Sequence, residues 1–248
     1  MRQQIIMGNW KMHGSLAMCQ QWVEQFVPEF GGRADCVIFP PAVYAPVLSS
    51  LLQDSSVAVG LQDVSVHASG AYTGEISAEM ALDSGAHYTL VGHSERREYH
   101  QESDALVADK AAYAISVGLL PVICIGETLA EREAEQTQAV VARQLQACLD
   151  KLTPEQLVQC VIAYEPVWAI GTGLTATPEQ AQAVHAGIRA HITAWSEFAA
   201  AQTRIVYGGS VKPNNAATLF AQPDIDGGLV GGASLKPEDF LQIVNISS

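Results

Sequence analysis

Eight short apolar runs are spaced along the chain of 248 residues, and they constrain its fold more than any other feature. The runs are continuously apolar instead of alternating with polar residues, which is typical of parallel strands covered on both faces. They predict strands at residues 5–7, 37–39, 57–60, 88–91, 122–125, 161–164, 205–207 and 228–230. Between them, apolar residues recur at helical spacing, as from Cys19 to Phe30 and from Ala181 to Trp195.

Strands that alternate with helices along the whole chain imply right-handed βαβ crossovers. Eight such units without a break in composition predict an α/β fold that closes into a (β/α)8 barrel, as a single domain over residues 1–248. An open doubly wound sheet is the alternative, but residues 8–11 lack the GxGxxG turn of a dinucleotide-binding sheet. The helix after the sixth strand is predicted to begin at a capping box formed by Thr177 and Gln180.

The composition argues against several classes of function. A formal net charge of −13 is unlike that of a nucleic-acid-binding protein, which needs clustered Lys and Arg. An anionic ligand would have to be bound by backbone N–H groups, helix N-termini and a few placed cations. Residues 1–11 lack a signal-peptide core and no apolar run is long enough for a membrane, so we expect a cytosolic protein. The five cysteines show no ligand spacing, which predicts reduced, buried thiols and no metal site.

In a barrel of this kind, polar residues directly after a strand face the mouth at the C-terminal ends of the strands. Asn9 and Lys11 follow the first strand, where an extended chain would turn both side chains to the same side. His93 follows the fourth strand and is predicted at a helix N-terminus, whose dipole disfavours imidazolium, so we expect a neutral ring. A solvated lysine or a structural histidine is the alternative at each position. Glu95 can orient Lys11 or belong to an ion-pair network.

Glu165 follows the sixth strand and is the candidate general base. Pro166 restricts the backbone of both residues and so fixes the direction of the chain at this point. A solvated glutamate at a strand end is the alternative for this position taken alone. Residues 166–176 have apolar side chains in the middle and small residues, including Gly171 and Gly173, toward the end. This pattern predicts a lid, with a loop packed permanently on the surface as the alternative.

Two glycine-rich turns follow the seventh and eighth strands, at residues 208–210 and 231–233. Without side chains, the backbone of such turns can approach a ligand closely. Their N–H groups, together with the start of a short helix, can bind phosphate in a protein that has few cations. Two such turns on neighbouring strands, beside a lid, predict a phosphate site.

Together, these strand exits resemble those of triosephosphate isomerase. The segments that carry the resemblance are GNWK at 8–11, GHSERR at 92–97, YEPVWAIGTG at 164–173, YGGS at 207–210 and VGGA at 230–233. They occur in the order of that family and span nearly the whole chain. The resemblance implies a TIM barrel that interconverts dihydroxyacetone phosphate and glyceraldehyde 3-phosphate through an enediol, without cofactor or metal. This family is a standard example of pKa tuning and lid closure.

By this resemblance, each candidate residue receives a role. Glu165 moves a proton between the two carbons, and neutral His93 donates to the carbonyl oxygens. Asn9 and Lys11 stabilise the enediolate. The substrate phosphate is bound by the N–H groups of Gly171, Ser210, Gly231 and Gly232.

The resemblance also implies a homodimer, in which the loop from Gly70 to Glu75 docks beside the partner subunit's Asn9 and the partner subunit's Lys11. Two residues depart from common family variants. Leu174 stands where Lys is frequent in the lid, and His13 stands where Asn is frequent. These departures bear on how fast the lid opens and closes and on the surroundings of Lys11.

Three other functions compete with this interpretation. A Schiff-base aldolase would need a lysine that the sixth strand lacks, and a metal-dependent epimerase would need paired ligand spacing, which His67, His87 and His93 do not show. A phosphosugar-binding protein without catalysis is the third alternative. The complete set of Asn9, Lys11, His93 and Glu165 argues against it.

Overall fold

The chain folds into a closed barrel of eight parallel strands, described here from a computed structural model that covers residues 2–170 and 175–246. The strands are β1 (Ile5–Asn9), β2 (Asp35–Phe39), β3 (Val57–Leu61), β4 (Tyr88–Val91), β5 (Leu120–Ile125), β6 (Val161–Tyr164), β7 (Arg204–Tyr207) and β8 (Gly227–Val230). Each strand pairs with its neighbours in sequence, and β8 pairs with β1. All eight predicted strands and the (β/α)8 barrel are confirmed.

The strand ends differ slightly from the prediction because polar residues take part in the ladder. β2 begins at Asp35 and β7 at Arg204, which an apolar criterion leaves out. Their side chains form an ion pair with a distance of 2.6 Å between Arg204 Nη1 and Asp35 Oδ2. At the other end, β1 extends to Asn9. An apolar run therefore identifies the middle of each strand more reliably than its ends.

The barrel separates two apolar layers. Inward-pointing side chains fill its centre, among them Ile5, Met7, Leu90 and Val206. Their neighbours along the strands, such as Ile6, belong to a second layer between the barrel and the helices. Successive side chains of a strand point to opposite faces, so a strand in this position has to be apolar at every residue. This requirement explains the continuous apolar runs of the sequence.

Helices surround the barrel. They are α1 (Leu16–Phe26), α2 (Ala45–Leu51), α3 (Ala78–Asp83), α4 (Ser94–Tyr99), α5 (Asp104–Ser116), α6 (Leu129–Glu133), α7 (Thr137–Leu149), α8 (Pro154–Gln159), α9 (Pro178–Trp195), α10 (Glu197–Gln202), α11 (Pro213–Phe220) and α12 (Pro237–Val244). The predicted capping box of α9 is confirmed, since Thr177 Oγ1 accepts from Gln180 N at 3.2 Å and Gln180 Oε1 accepts from Thr177 N at 3.0 Å. The first predicted helix ends earlier than its apolar pattern, because Pro28 introduces a 3-10 turn after Phe26.

The structure bears on two expectations that were drawn from composition, one about the cysteines and one about membrane-spanning segments. All five cysteines are buried and form no disulfide, as predicted. Burial raises the pKa of the Cys148 thiol to about 12, so this sulfur stays protonated at neutral pH. Within the described part of the chain, every helix is too short or too polar to cross a bilayer.

His185 is a buried titratable group in the helical layer. It lies on α9 with its ring centroid 5.7 Å from that of Tyr164 and 6.3 Å from that of Tyr207. Its Nδ1 is 3.1 Å from the carbonyl oxygen of Asp224. Burial lowers the pKa of His185 from 6.5 to about 4, so the ring is neutral in the folded protein at pH 7.

We therefore predict that acid destabilises the fold through His185. In the unfolded chain the ring gains its proton near pH 6.5, whereas the folded chain resists protonation down to about pH 4. The free energy of unfolding should thus fall by about 2 kcal/mol between pH 7 and pH 5 because of this residue. Urea denaturation of the wild type and of His185→Gln at both pH values measures the contribution.

The exposed His87 provides the control, because His87→Gln should leave the pH dependence of the wild type unchanged. If His185→Gln loses as much stability on acidification as the wild type does, the prediction is wrong.

Candidate active site

A cavity of about 720 Å³ opens at the C-terminal ends of the strands. Its lining includes most residues that the sequence analysis singled out, namely Asn9, Lys11, His93, Glu165, Ser210, Gly231 and Gly232. Gly171 lies outside the described residues. Glu95 does not line the cavity but contacts two of the residues that do, Lys11 and His93. The barrel therefore brings together residues that are far apart in the sequence.

Glu165 follows β6 directly and is almost completely buried, with 2% of its surface exposed. Its Oε2 accepts a hydrogen bond from Ser94 N at 2.8 Å. Its Oε1 lies 3.1 Å from His93 Nε2 without the alignment of a hydrogen bond, and no other described residue donates to it. The same oxygen is free to accept a proton from a bound molecule.

Two glycines leave room for Glu165. A Cβ on Gly126 would lie 1.8 Å from the carbonyl oxygen of Glu165, and a Cβ on Gly208 would lie 2.9 Å from its Cγ. Gly126 is itself held by the buried Gln144, whose side-chain amide accepts from Gly126 N at 2.7 Å and donates to Gly126 O at 3.2 Å. The residue Glu165 is therefore closely flanked by these two glycines, one at its main chain and one at its Cγ.

His93 is the N-cap residue of α4. Its Nδ1 accepts a hydrogen bond from Glu95 N at 3.2 Å, so this nitrogen carries no proton. Glu95 Oε2 lies 3.6 Å from the same nitrogen. The backbone N–H is closer and has hydrogen-bond geometry, so we assign the neutral tautomer with the proton on Nε2. That tautomer can donate a hydrogen bond into the cavity.

Asn9 and Lys11 both line the cavity, but the expectation of an extended chain at Lys11 was wrong. Lys11 has a left-handed backbone with φ of +49°, a conformation that costs about 1–3 kcal/mol for a residue with a side chain. Asn9 Oδ1 accepts from Lys11 N at 2.9 Å, and Gln62 Nε2 donates to Lys11 O at 2.8 Å. These bonds hold the turn, and Glu95 Oε1 accepts from Lys11 Nζ at 2.5 Å. The ammonium group is thereby fixed at the mouth.

The two glycine-rich turns present free donors. Within the described parts of the chain, the N–H groups of Ser210, Gly231 and Gly232 donate to no acceptor. A Cβ on Gly232 would meet nothing within 4 Å, and one on Gly231 would meet Lys11 Cε at 3.8 Å. Several unpaired N–H groups around an open space form the kind of site that binds an anion such as phosphate.

The first turn of the predicted lid contacts a buried acid, Glu127. This side chain is completely buried and accepts hydrogen bonds from Trp168 Nε1 at 2.8 Å and from Tyr164 Oη at 3.1 Å. The guanidinium of Arg132 lies 3.3 Å from Glu127 Oε1 and 4.2 Å from the centre of the Trp168 ring. Burial, and then the charge of Glu127, raise the pKa of Tyr164 above its ordinary value, so the phenol remains a donor. The first turn of the lid is therefore fastened to the barrel.

The rest of the lid is only partly described. Residues 167–169 form a 3-10 turn, and the apolar side chains of Val167, Trp168 and Ile170 are half-buried. Gly171, Gly173 and Leu174 lie outside the described residues.

Sequence reasoning missed several residues of the site. Glu127 and Gln62 each follow a strand closely, so inspection of the exits of β5 and β3 would have found both. Gln144 lies within α7, and the sequence around Gly126 does not distinguish this glycine from the others in the chain. Only the tertiary contact between Gly126 and Glu165 reveals what these two residues do.

Two features named in the sequence analysis lie on the surface. The loop from Gly70 to Glu75 is exposed throughout, and the ring of Tyr72 stacks on His67 with a centroid distance of 3.8 Å. His13 is also exposed. Among the described residues, no three His, Cys, Asp or Glu side chains lie close enough together to hold a metal ion.

Comparison with known proteins points to one family. The family model described as Triosephosphate isomerase matches residues 4–247. A triosephosphate isomerase from Cupriavidus taiwanensis is 57% identical over 246 residues, which cover 99% of this chain and 100% of that protein. Those of Delftia acidovorans and Herminiimonas arsenicoxydans are 55% and 53% identical, and each match covers 98% of this chain and at least 98% of the relative.

Gly126 offers a direct test of how the buried carboxylate is held. We predict that Gly126→Ala lowers the free energy of unfolding by at least about 1–3 kcal/mol, because the new methyl group would overlap the backbone of Glu165. Urea denaturation measures the change. Gly31→Ala is the matched control, since Gly31 is exposed and the nearest atom to its Cβ is at 3.4 Å. Equal stabilities of the two variants would contradict the proposed packing.

Proposed function

The chain belongs to the triosephosphate isomerase family, and from that membership we infer that it interconverts dihydroxyacetone phosphate and D-glyceraldehyde 3-phosphate. The observation that best supports the assignment of the site is the buried Oε1 of Glu165, which no described residue engages as a hydrogen-bond donor. A general base needs an oxygen with an available lone pair within reach of the proton that it removes. The protein is an isomerase, and we propose that its own side chains suffice for the reaction, without cofactor or metal.

In the proposed reaction, Glu165 and His93 divide the proton transfers between them. Glu165 Oε1 takes a proton from the hydroxymethyl carbon next to the carbonyl, and the electrons of that C–H bond form the enediolate. His93 Nε2–H donates to the carbonyl oxygen and allows the hydroxyl proton to move between the two oxygens. Glu165 then returns its proton to the neighbouring carbon. Atoms and charge balance, and both side chains end in their starting states.

The remaining site residues would stabilise charge. Lys11 and Asn9 line the same cavity and are proposed to face the enediolate oxygens. The N–H groups of Ser210, Gly231 and Gly232 are proposed to bind the phosphate, joined by Gly171 when the lid closes. A general base typically contributes about 10²- to 10⁴-fold and one oxyanion donor about 10²- to 10³-fold. Neither alone gives a large enhancement, so exclusion of water by the lid belongs to the proposal.

We predict that Glu165→Asp keeps the fold but loses at least about 100-fold in kcat, because the shorter side chain withdraws the carboxylate from the carbon. A coupled assay with glyceraldehyde 3-phosphate measures turnover, and thermal unfolding checks the fold. Glu155→Asp, an exposed change of the same kind, is the control and should retain full activity. Undiminished turnover in Glu165→Asp would remove this residue from the mechanism.

The same assay separates the competing functions. Wild-type activity is expected to be equal with and without a chelator, and borohydride with substrate should leave the enzyme active. Loss of activity in chelator would support a metal-dependent epimerase, and trapping by borohydride would support an aldolase. Binding of phosphate without any turnover would indicate a phosphosugar-binding protein.

We further propose that the chain acts in the cytosol as a single domain and as a homodimer. Met12 and Val43 expose 94% and 76% of their surfaces, and Tyr44 Oη joins their two loops by donating to Gly14 O at 3.2 Å. An apolar surface of this kind beside Lys11 supports an interface with the loop from Gly70 to Glu75 of a second copy.

Sedimentation velocity tests the dimer. We expect a mass of about twice that of the chain at micromolar concentration and a lower dimer fraction for Met12→Glu, because a charge would be buried in the interface. Glu133→Gln, an exposed change on α6 away from these loops, should leave the association unchanged. A monomeric wild type at all concentrations would contradict the proposed homodimer.

A further inference from the structure

Lysine is scarce in this chain, and its placement is uneven. Five lysines stand among 26 acidic residues. Lys11, Lys110 and Lys151 each form an ion pair with a carboxylate. Lys212 and Lys236 form no ion pair with any residue in the ranges 2–170 and 175–246, and both line the active-site cavity together with Lys11. The two lysines without a partner therefore lie where an anionic substrate would enter.

The local structure at Lys212 and Lys236 is unfavourable for a cation. Lys212 is the N-cap residue of α11 and Lys236 that of α12. Neither side chain makes a capping hydrogen bond, and both residues stand at the positive end of a helix dipole. Because a lysine at a helix N-cap does not stabilise the helix, stability does not explain why two of the five lysines stand there.

Elsewhere the chain caps its helices well. Seven described helices begin at a Ser or Thr whose side chain accepts from the backbone, namely those capped by Ser15, Ser77, Ser103, Thr128, Thr153, Thr177 and Ser196. Five described helices depart from this pattern. Two of them, α2 and α7, begin at Tyr44 and Gln136, away from the cavity. The other three begin at residues that line the cavity, with His93, Lys212 and Lys236 as their N-cap residues. Departures from locally favourable residues tend to occur at functional sites.

We propose that Lys212 and Lys236 capture the phosphate dianion at the mouth of the cavity and so raise the rate of productive substrate binding. This inference rests on the proposed isomerase function. The chain as a whole carries a formal charge of −13 and repels a dianion, whereas the two ammonium groups create a local attraction. Asp239 also lines the cavity and opposes them. Neither lysine takes part in the proton transfers.

The test replaces each lysine by serine, singly and together. At low ionic strength, the double variant should lose roughly three- to tenfold in kcat/KM for glyceraldehyde 3-phosphate, a part of the 10- to 10³-fold that charge focusing in clefts can give. Near 1 M salt, where the Debye length is about 3 Å, the difference from wild type should disappear. Asp239→Asn should raise kcat/KM at low ionic strength.

The unfolding temperature provides a second measurement. If the two lysines served only to stabilise the fold, replacing them would lower this temperature. Serine is a better N-cap residue than lysine, so each Lys→Ser variant should unfold at a temperature about 2–4 °C above that of the wild type. The expected combination is therefore higher stability with slower substrate capture. Lys212→Arg and Lys236→Arg keep the charge and should retain wild-type kcat/KM.

Two controls make the proposal falsifiable. Arg33→Ser removes one exposed positive charge from the loop that leads into the start of β2, at the opposite end of the barrel, and should leave kcat/KM unchanged. Unphosphorylated glyceraldehyde is a neutral substrate, so its kcat/KM should not respond to the lysine changes. Equal kcat/KM of the double variant and Arg33→Ser would overturn the proposal, as would an equal loss with neutral glyceraldehyde. Absence of turnover in the wild type would instead contradict the proposed function.

Discussion

Closure of the parallel ladder between β8 and β1 brings the eight strand exits to one face of the molecule. The closing contact is tight, because a Cβ on Gly227 would lie 1.9 Å from the carbonyl oxygen of Ile5. Gly227 also has a φ of +137°, a conformation that a residue with a side chain rarely adopts. The seam thus depends on glycine, and the geometry of Asn9, Glu165 and the two glycine-rich turns depends on the seam.

The site combines groups whose arrangement is unfavourable for the fold alone. Glu165 is a buried carboxylic side chain, and Lys11 holds a left-handed backbone. These costs are offset locally by specific hydrogen bonds, such as the one from Ser94 N to Glu165 Oε2. Larger offsets come from the two apolar layers, which are continuous around the barrel. The stable barrel can therefore tolerate residues at its mouth that are locally unfavourable for folding.

The sequence predicted the strands well because burial on both faces leaves a pattern that few other structures share. It predicted the start of α9 because Thr177 and Gln180 satisfy each other locally. It failed where the deciding contact is tertiary. The left-handed turn at Lys11 depends on Gln62, and the anchor of the lid depends on Glu127, which lies about 40 residues before Trp168. Such contacts produce no periodic pattern in the sequence. The residues that make them can be found only by inspecting each strand exit in turn.

The acidic composition has a consequence for how an anion is bound. A cation at every contact with the ligand would be costly. Each cation would also have to be held in place by a neighbouring carboxylate, as Lys11 is by Glu95. Backbone N–H groups carry partial charge without titrating and without side-chain entropy, so Ser210, Gly231 and Gly232 can serve a phosphate inside the cavity. Their field is short-ranged, however, and does little for a substrate still in solvent. The two proposals therefore complement each other: N–H groups would hold the anion at close range, and Lys212 and Lys236 would attract it from a distance.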